Sequence, residues 1–207
     1  MKCLLLDLKK NTTMYLSEIN ICLKNNTPYN SIVRSIFLTY PTFVFTGKEN
    51  IQFFILNKIS EFFKIPIMNI QVVGSSKTGH SLPNNTIFDS ISSDLDIAII
   101  DVLLFQKYTD CVFLKTEGFT DLTSFKRDHQ GEADYKLYLK CISKGIFRPD
   151  LMPNCPEKIE WFYFFKQLSI EYKNLFKSIN AGIYFSQTTF EFKQVSSIIK
   201  YKENNRI

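Results

Sequence analysis

Apolar positions along the chain alternate between two periods, and the changes of period mark out the elements. Between residues 48 and 63, Ile51, Phe54, Ile55, Ile59 and Phe62 recur every three or four residues, which predicts an amphipathic helix. Thr46 followed by Glu49 has the spacing of a capping box for its start, and Pro66 ends it. "MNIQVVGS" then reads as a short buried strand, and "SDLDIAII" as a second strand beginning at Ser93, with a helix leading away from "VLLFQKY". The stretch "ADYKLYLKCI" fits a strand or a helix equally well. Pro156 suits the first turn of a helix whose Ile159, Trp161, Phe162, Phe165, Leu168, Tyr172 and Leu175 form one broad apolar face. "INAGIYF" and "TTFEFKQV" follow as strands, before a basic tail with Lys193, Lys200, Lys202 and Arg206. Strands interleaved with long helices predict a mixed α and β layer fold.

A chain of 207 residues can bury one sizeable core, so a single domain is expected over 1–207, with 1–45 as an N-terminal extension and the chemically informative core at 67–101. The net charge of +5 is too small to establish nucleic-acid binding by itself. Cys3, Cys22, Cys111, Cys141 and Cys155 are scattered, with no zinc-like spacing, and read as reduced thiols. His80 and His129 read as ordinary hydrogen-bonding side chains. The apolar run in "MKCLLLDLKK" is too short for a membrane span or an export signal, so a cytoplasmic protein with no membrane partner is expected.

The chemistry concentrates in "VVGSS" and "SDLDIAII". On a strand, Asp94 and Asp96 share one face while Leu95, Ile97 and Ile99 share the other. Two carboxylates one strand repeat apart repel, and burying both as ions costs several kcal/mol each unless a cation compensates. Mg²⁺ (or Mn²⁺) suits such oxygen ligands and completes its shell with water and phosphate oxygens. Gly74 and Ser75 end the preceding strand in a turn whose backbone N–H groups can hold phosphate, with Ser76 and Lys77 as further donors. "GSSKTG" is not a P-loop, which requires four residues between its glycine and a Gly-Lys-Ser/Thr end.

The order strand, Gly-Ser, loop, Asp-x-Asp, strand resembles the signature of the DNA polymerase β-like nucleotidyltransferase superfamily, covering residues 67 to 101 directly. The resemblance implies an α+β nucleotidyltransferase fold, a small mixed sheet packed against several helices. It implies a nucleoside triphosphate held at Gly74, Ser75, Ser76 and Lys77, and Mg²⁺ held by the catalytic acids Asp94 and Asp96. In such enzymes an acceptor attacks the α-phosphate and pyrophosphate leaves. Small stand-alone members modify small molecules, proteins or RNA ends, and some act in bacterial defence or toxin–antitoxin systems.

Two departures from the family pattern stand out. The loop from Ser76 to Ser93, with "HSLPNNTIFDS", is enlarged, and "INAGIYF" carries no third carboxylate, leaving Glu191, Asp150 and Asp134 as candidates. The alternatives are a nucleotide-binding or protein-interaction module without transfer activity, and a nucleic-acid-binding protein that uses the basic tail.

Overall fold

A computed structural model describes residues 14–126 and 134–207; Cys3, His129 and the opening "MKCLLLDLKK" lie outside them. The described residues begin with helix α1 (14–24), α2 (Tyr29–Val33), a π-helical turn (Arg34–Thr39) and a 3₁₀ turn (Phe43–Phe45). Helix α3 (Glu49–Phe63) leads through a 3₁₀ turn (Ile67–Asn69) into β1 (Ile70–Val73), α4 (Gly74–Thr78), β2 (His80–Ser81) and β3 (Thr86–Ile87). Strand β4 (Leu95–Ile100) then enters α5 (Val102–Lys115), followed by α6 (Tyr135–Ile142), β5 (Ile146–Phe147), a 3₁₀ turn (Pro149–Leu151) and α7 (Pro156–Glu171). Strand β6 (Ile179–Tyr184) and the long α8 (Gln187–Asn205) complete it.

The main sheet has the order β1-β4-β6-β5, with β4 antiparallel to β1 and parallel to β6, and β5 antiparallel to β6. Helices cover both faces. Leu95, Ile97 and Ile99 point into one core with residues of α3, α5 and α7, among them Ile59, Val112 and the buried Trp161. Ala98 points the other way, into a second core made by Ile19, Ile32, Ile36, Phe190 and Ile198. Residues 14–45, set apart in the sequence as an extension, thus supply much of the core on one face of the sheet. No helix among the described residues is long and apolar enough to cross a membrane.

Local chemistry explains most boundaries. Lys64 takes a left-handed conformation (φ 55°) to end α3, and Pro66 prevents its continuation. Asp101 caps α5 by accepting a hydrogen bond from the Leu104 N–H at 2.8 Å. The expected capping box at Thr46 does not form: Lys48 is the N-cap of α3, and Glu49 instead accepts from the Gly47 N–H at 2.9 Å. "ADYKLYLKCI" resolves as a helix from Tyr135, and the enlarged loop contains the hairpin of β2 and β3. On α7, Trp161, Phe165 and Leu168 are buried while Ile159 is 70% exposed, so the apolar face is narrower than its composition indicates.

The principal correction concerns "TTFEFKQV", expected as a strand and found inside α8. The alternation of Thr188, Phe190 and Phe192 is only a fragment of a longer helical period in which Phe190, Gln194, Ile198 and Tyr201 are buried. The start is fixed by a capping box: the Ser186 side chain accepts from the Thr189 N–H, and the Thr189 hydroxyl accepts from the Ser186 N–H. The basic tail belongs to this helix, with Lys193, Lys200 and Lys202 within it, Arg206 as its C-cap, and Lys202 lying over the Tyr29 ring. Replacing Ser186 with Ala should lower unfolding stability by about 1 kcal/mol, read as a lower midpoint in urea denaturation with an unchanged slope.

Candidate functional site

Strand β4 begins where both sheet neighbours help to fix it. The Leu95 N–H donates to the Ser178 carbonyl at 2.8 Å, and the Lys177 N–H to the Ser93 carbonyl at 3.0 Å, tying the approach to β4 to the approach to β6. In this register Asp96 sits between Val73 of β1 and Asn180 of β6. Asp94, Asp96, Asn180 and Gly182 therefore share the sheet face opposite Leu95, Ile97 and Ile99. This is the arrangement expected for the two acids.

Gly74 follows Val73 directly, so the Gly-Ser turn lies beside the Asp96 carboxylate. Gly74 has a φ of +68°, and a Cβ placed there would come within 2.7 Å of Asp96 Oδ2. Glycine is thus required twice, for the left-handed backbone and for the close approach of the carboxylate. Gly74, Ser75, Asp94 and Asp96 all line one cleft of about 770 Å³, within the size range of small-molecule and cofactor sites.

The other two residues expected to meet a nucleotide turn away. Ser76 is fully buried and donates to the Val73 carbonyl at 2.8 Å. Lys77 is buried too, with its Nζ donating to the Tyr40 carbonyl at 2.7 Å, and it lines a separate cavity. On so short a helix as α4, residues 74 and 75 face the cleft while 76 and 77 face the interior.

Electrostatics set Asp96 apart. Burial, with a second contribution from the neighbouring Asp94 charge, pushes its carboxyl from 3.8 up to about 6. Asp94 accepts a hydrogen bond from the Ser178 hydroxyl at 2.8 Å, and that hydroxyl in turn accepts from the Asn180 amide at 2.9 Å. Neither aspartate has a cationic partner among the described residues. A like-charged, partly buried pair without a counterion fits a divalent cation, and an oxygen donor set of two carboxylates suits Mg²⁺ better than a softer metal. No cluster of three or more His, Cys, Asp or Glu arranged for a metal occurs among the described residues. Water and phosphate oxygens would have to supply the remaining ligands.

The three candidate third acids separate clearly. Glu191 is buried and committed to Arg34 Nε at 2.9 Å and to the Gln187 amide at 2.7 Å, which hold its carboxyl below its ordinary range; it does not line the cleft. Asp134 precedes α6 and is also absent from the cleft wall. Asp150 does line the cleft, paired with Arg148. Beside Asp96 on β6, the neighbouring side chain is the amide of Asn180.

Ser178, Asn180, Arg148, Gln194 and Ser197 were not expected at the site, nor was Lys193 outside its place in the basic tail; all but Ser178 line the cleft. The signal for the first two was present in "SINAG", where Ser178 and Asn180 stand at strand spacing on the aspartate face. Reading α8 as a strand concealed the i, i+4 relation of Lys193 and Ser197.

The raised carboxyl of Asp96 has a definite linkage sign. Below about pH 3.8 it is protonated in both folded and unfolded chains; as pH rises toward 6 the unfolded chain ionises first, so stability falls. The total loss is about 3 kcal/mol. Asp96→Asn should therefore stabilise the metal-free protein by up to about 3 kcal/mol near pH 7.5 and by almost nothing near pH 4, measured by urea denaturation at the two pH values. Gly74→Ala should destabilise by about 1–2 kcal/mol for its backbone conformation alone, and displace the Asp96 carboxylate.

No family model, no curated protein and no solved structure matches this chain.

Proposed function

We propose that the chain is a divalent-metal-dependent nucleotidyltransferase of the polymerase β-like type, moving a nucleoside monophosphate from a nucleoside triphosphate to an acceptor. The observation that carries this reading is the convergence of Gly74 and Ser75 with Asp94 and Asp96 on one cleft, with Gly74 in van der Waals range of the Asp96 carboxylate. The run α3-β1-α4, the β2–β3 hairpin and β4-α5 support it, with β4 antiparallel to β1 and parallel to β6.

In this reading the Gly74–Ser75 backbone binds the phosphates, and Asp94 and Asp96 ligate Mg²⁺. When bound, the metal supplies charge neutralisation at the triphosphate and lowers the pKa of the attacking hydroxyl. Ser178 and Asn180 orient Asp94 through their hydrogen-bond chain. Lys193 and Arg148 add positive charge to walls of the cleft, where a triphosphate brings several negative ones. The acceptor oxygen bonds to the α-phosphorus, the bond from that phosphorus to the bridging oxygen breaks, and pyrophosphate carries away the electron pair. Asp150 is the remaining cleft carboxylate able to receive the hydroxyl proton, once released from Arg148.

One feature favours a second reading, nucleotide binding without transfer: the neutral Asn180 stands beside Asp96, on the strand where the superfamily often has its third acid. Pyrophosphate release separates the two. Each of the four triphosphates, with Mg²⁺ or Mn²⁺ and cell extract as a source of acceptors, is offered to the wild type and to an Asp94→Asn, Asp96→Asn double variant. Transfer predicts release that needs both the metal and the aspartates, with at least a hundredfold loss in the variant. Metal-dependent binding without release in any extract establishes the second reading.

A further inference from the structure

Lys77 is only 4% exposed, yet it forms no ion pair with another of the described residues. Among the described residues its Nζ has one partner, the Tyr40 carbonyl at 2.7 Å, whereas an ammonium carries three donors. Burying a cation so incompletely paired is costly. The side chain lines a second cavity of about 250 Å³, separate from the aspartate cleft, with Tyr40, Gln52 and Thr42 among its polar walls and Phe45 and Val72 among its apolar ones. Glu49 stands at the exposed rim.

We propose that this cavity binds a small monocarboxylate whose carboxylate group pairs with the Lys77 ammonium. The volume, about 250 Å³, lies below the usual range of cofactor and nucleotide pockets, which favours a small occupant. A single buried cation neutralises one negative charge. A phosphate dianion would leave the second charge against Phe45 and Val72, facing the Glu49 carboxylate. Gln52 supplies a further donor: its Nε2 reaches Thr42 Oγ1 at 3.4 Å, a long bond that a carboxylate oxygen can replace. The apolar wall receives a short alkyl body. Burial lowers the Lys77 amine to about 8 in the empty site, which leaves it largely protonated near pH 7 and available to an anionic partner. Because α4 carries Lys77 on its inner side and Ser75 on the cleft side, occupancy of this cavity braces the turn that lines the cleft.

The site is independent of the proposed transferase reading, and its test uses no nucleotide. Sodium acetate, propionate, butyrate and glycine are titrated against the full chain by calorimetry near pH 7 at constant ionic strength, with chloride and phosphate as controls. The expected result is saturable binding of at least one carboxylate, weakened at least tenfold in Lys77→Met and also weakened in Gln52→Leu, with no comparable binding of chloride or phosphate. Thermal unfolding of both variants establishes that they fold. Absence of saturable carboxylate binding to the wild type, equal affinity in Lys77→Met, or tighter binding of phosphate each overturns the proposal.

Discussion

Strand β4 is paired along both edges and covered on both faces, and this double confinement governs the rest of the molecule. Antiparallel β1 and parallel β6 saturate its backbone, while the two cores take Leu95, Ile97 and Ile99 on one face and Ala98 on the other. A charged side chain is tolerated only where that confinement relaxes. Relaxation comes at the N-terminal end of the strand, where the cleft opens, and that is where Asp94 and Asp96 stand.

The position is still costly for Asp96. Its carboxylate is largely buried, occupies the space a side chain at residue 74 would need, and lies close enough to Asp94 for the two charges to interact. A chain selected for stability alone would place an amide or an apolar side chain there, as β6 does with Asn180 and Ala181. An ionisable group held at such a cost beside a cleft is a candidate functional centre. The neighbouring elements serve the same end: Ser178 and Asn180 fix Asp94 from β6, and the capped α8 brings Lys193 and Ser197 to the opposite wall.

Much of this was legible from residue order. The helix before Pro66, the two strands around Gly-Ser and Asp-x-Asp, the helix after Asp101 and the helix from Pro156 all announce themselves by period and by punctuation. So did the pairing of the two acids on one face. What escaped depends on tertiary contact. The sequence "TTFEFKQV" alternates like a strand, but its fate is decided by the Ser186 cap and by apolar positions further along, at Ile198 and Tyr201. Ser76 and Lys77 look like phosphate donors in a linear reading, and only the direction of α4 sends them inward. Glu191 was a plausible third acid until its commitment to Arg34, 157 residues away, was visible. A residue's role in the cleft was hardest to read where two distant segments had to meet.

The central claim is that Asp94 and Asp96 hold a divalent cation together with a triphosphate in this cleft. Electron paramagnetic resonance of Mn²⁺, titrated with the protein in the presence and absence of a non-hydrolysable nucleoside triphosphate, tests it directly. The wild type should bind the Mn²⁺–triphosphate complex, and Asp96→Asn should weaken this at least tenfold while remaining folded. Equal binding by the two proteins, or none by the wild type, would contradict it.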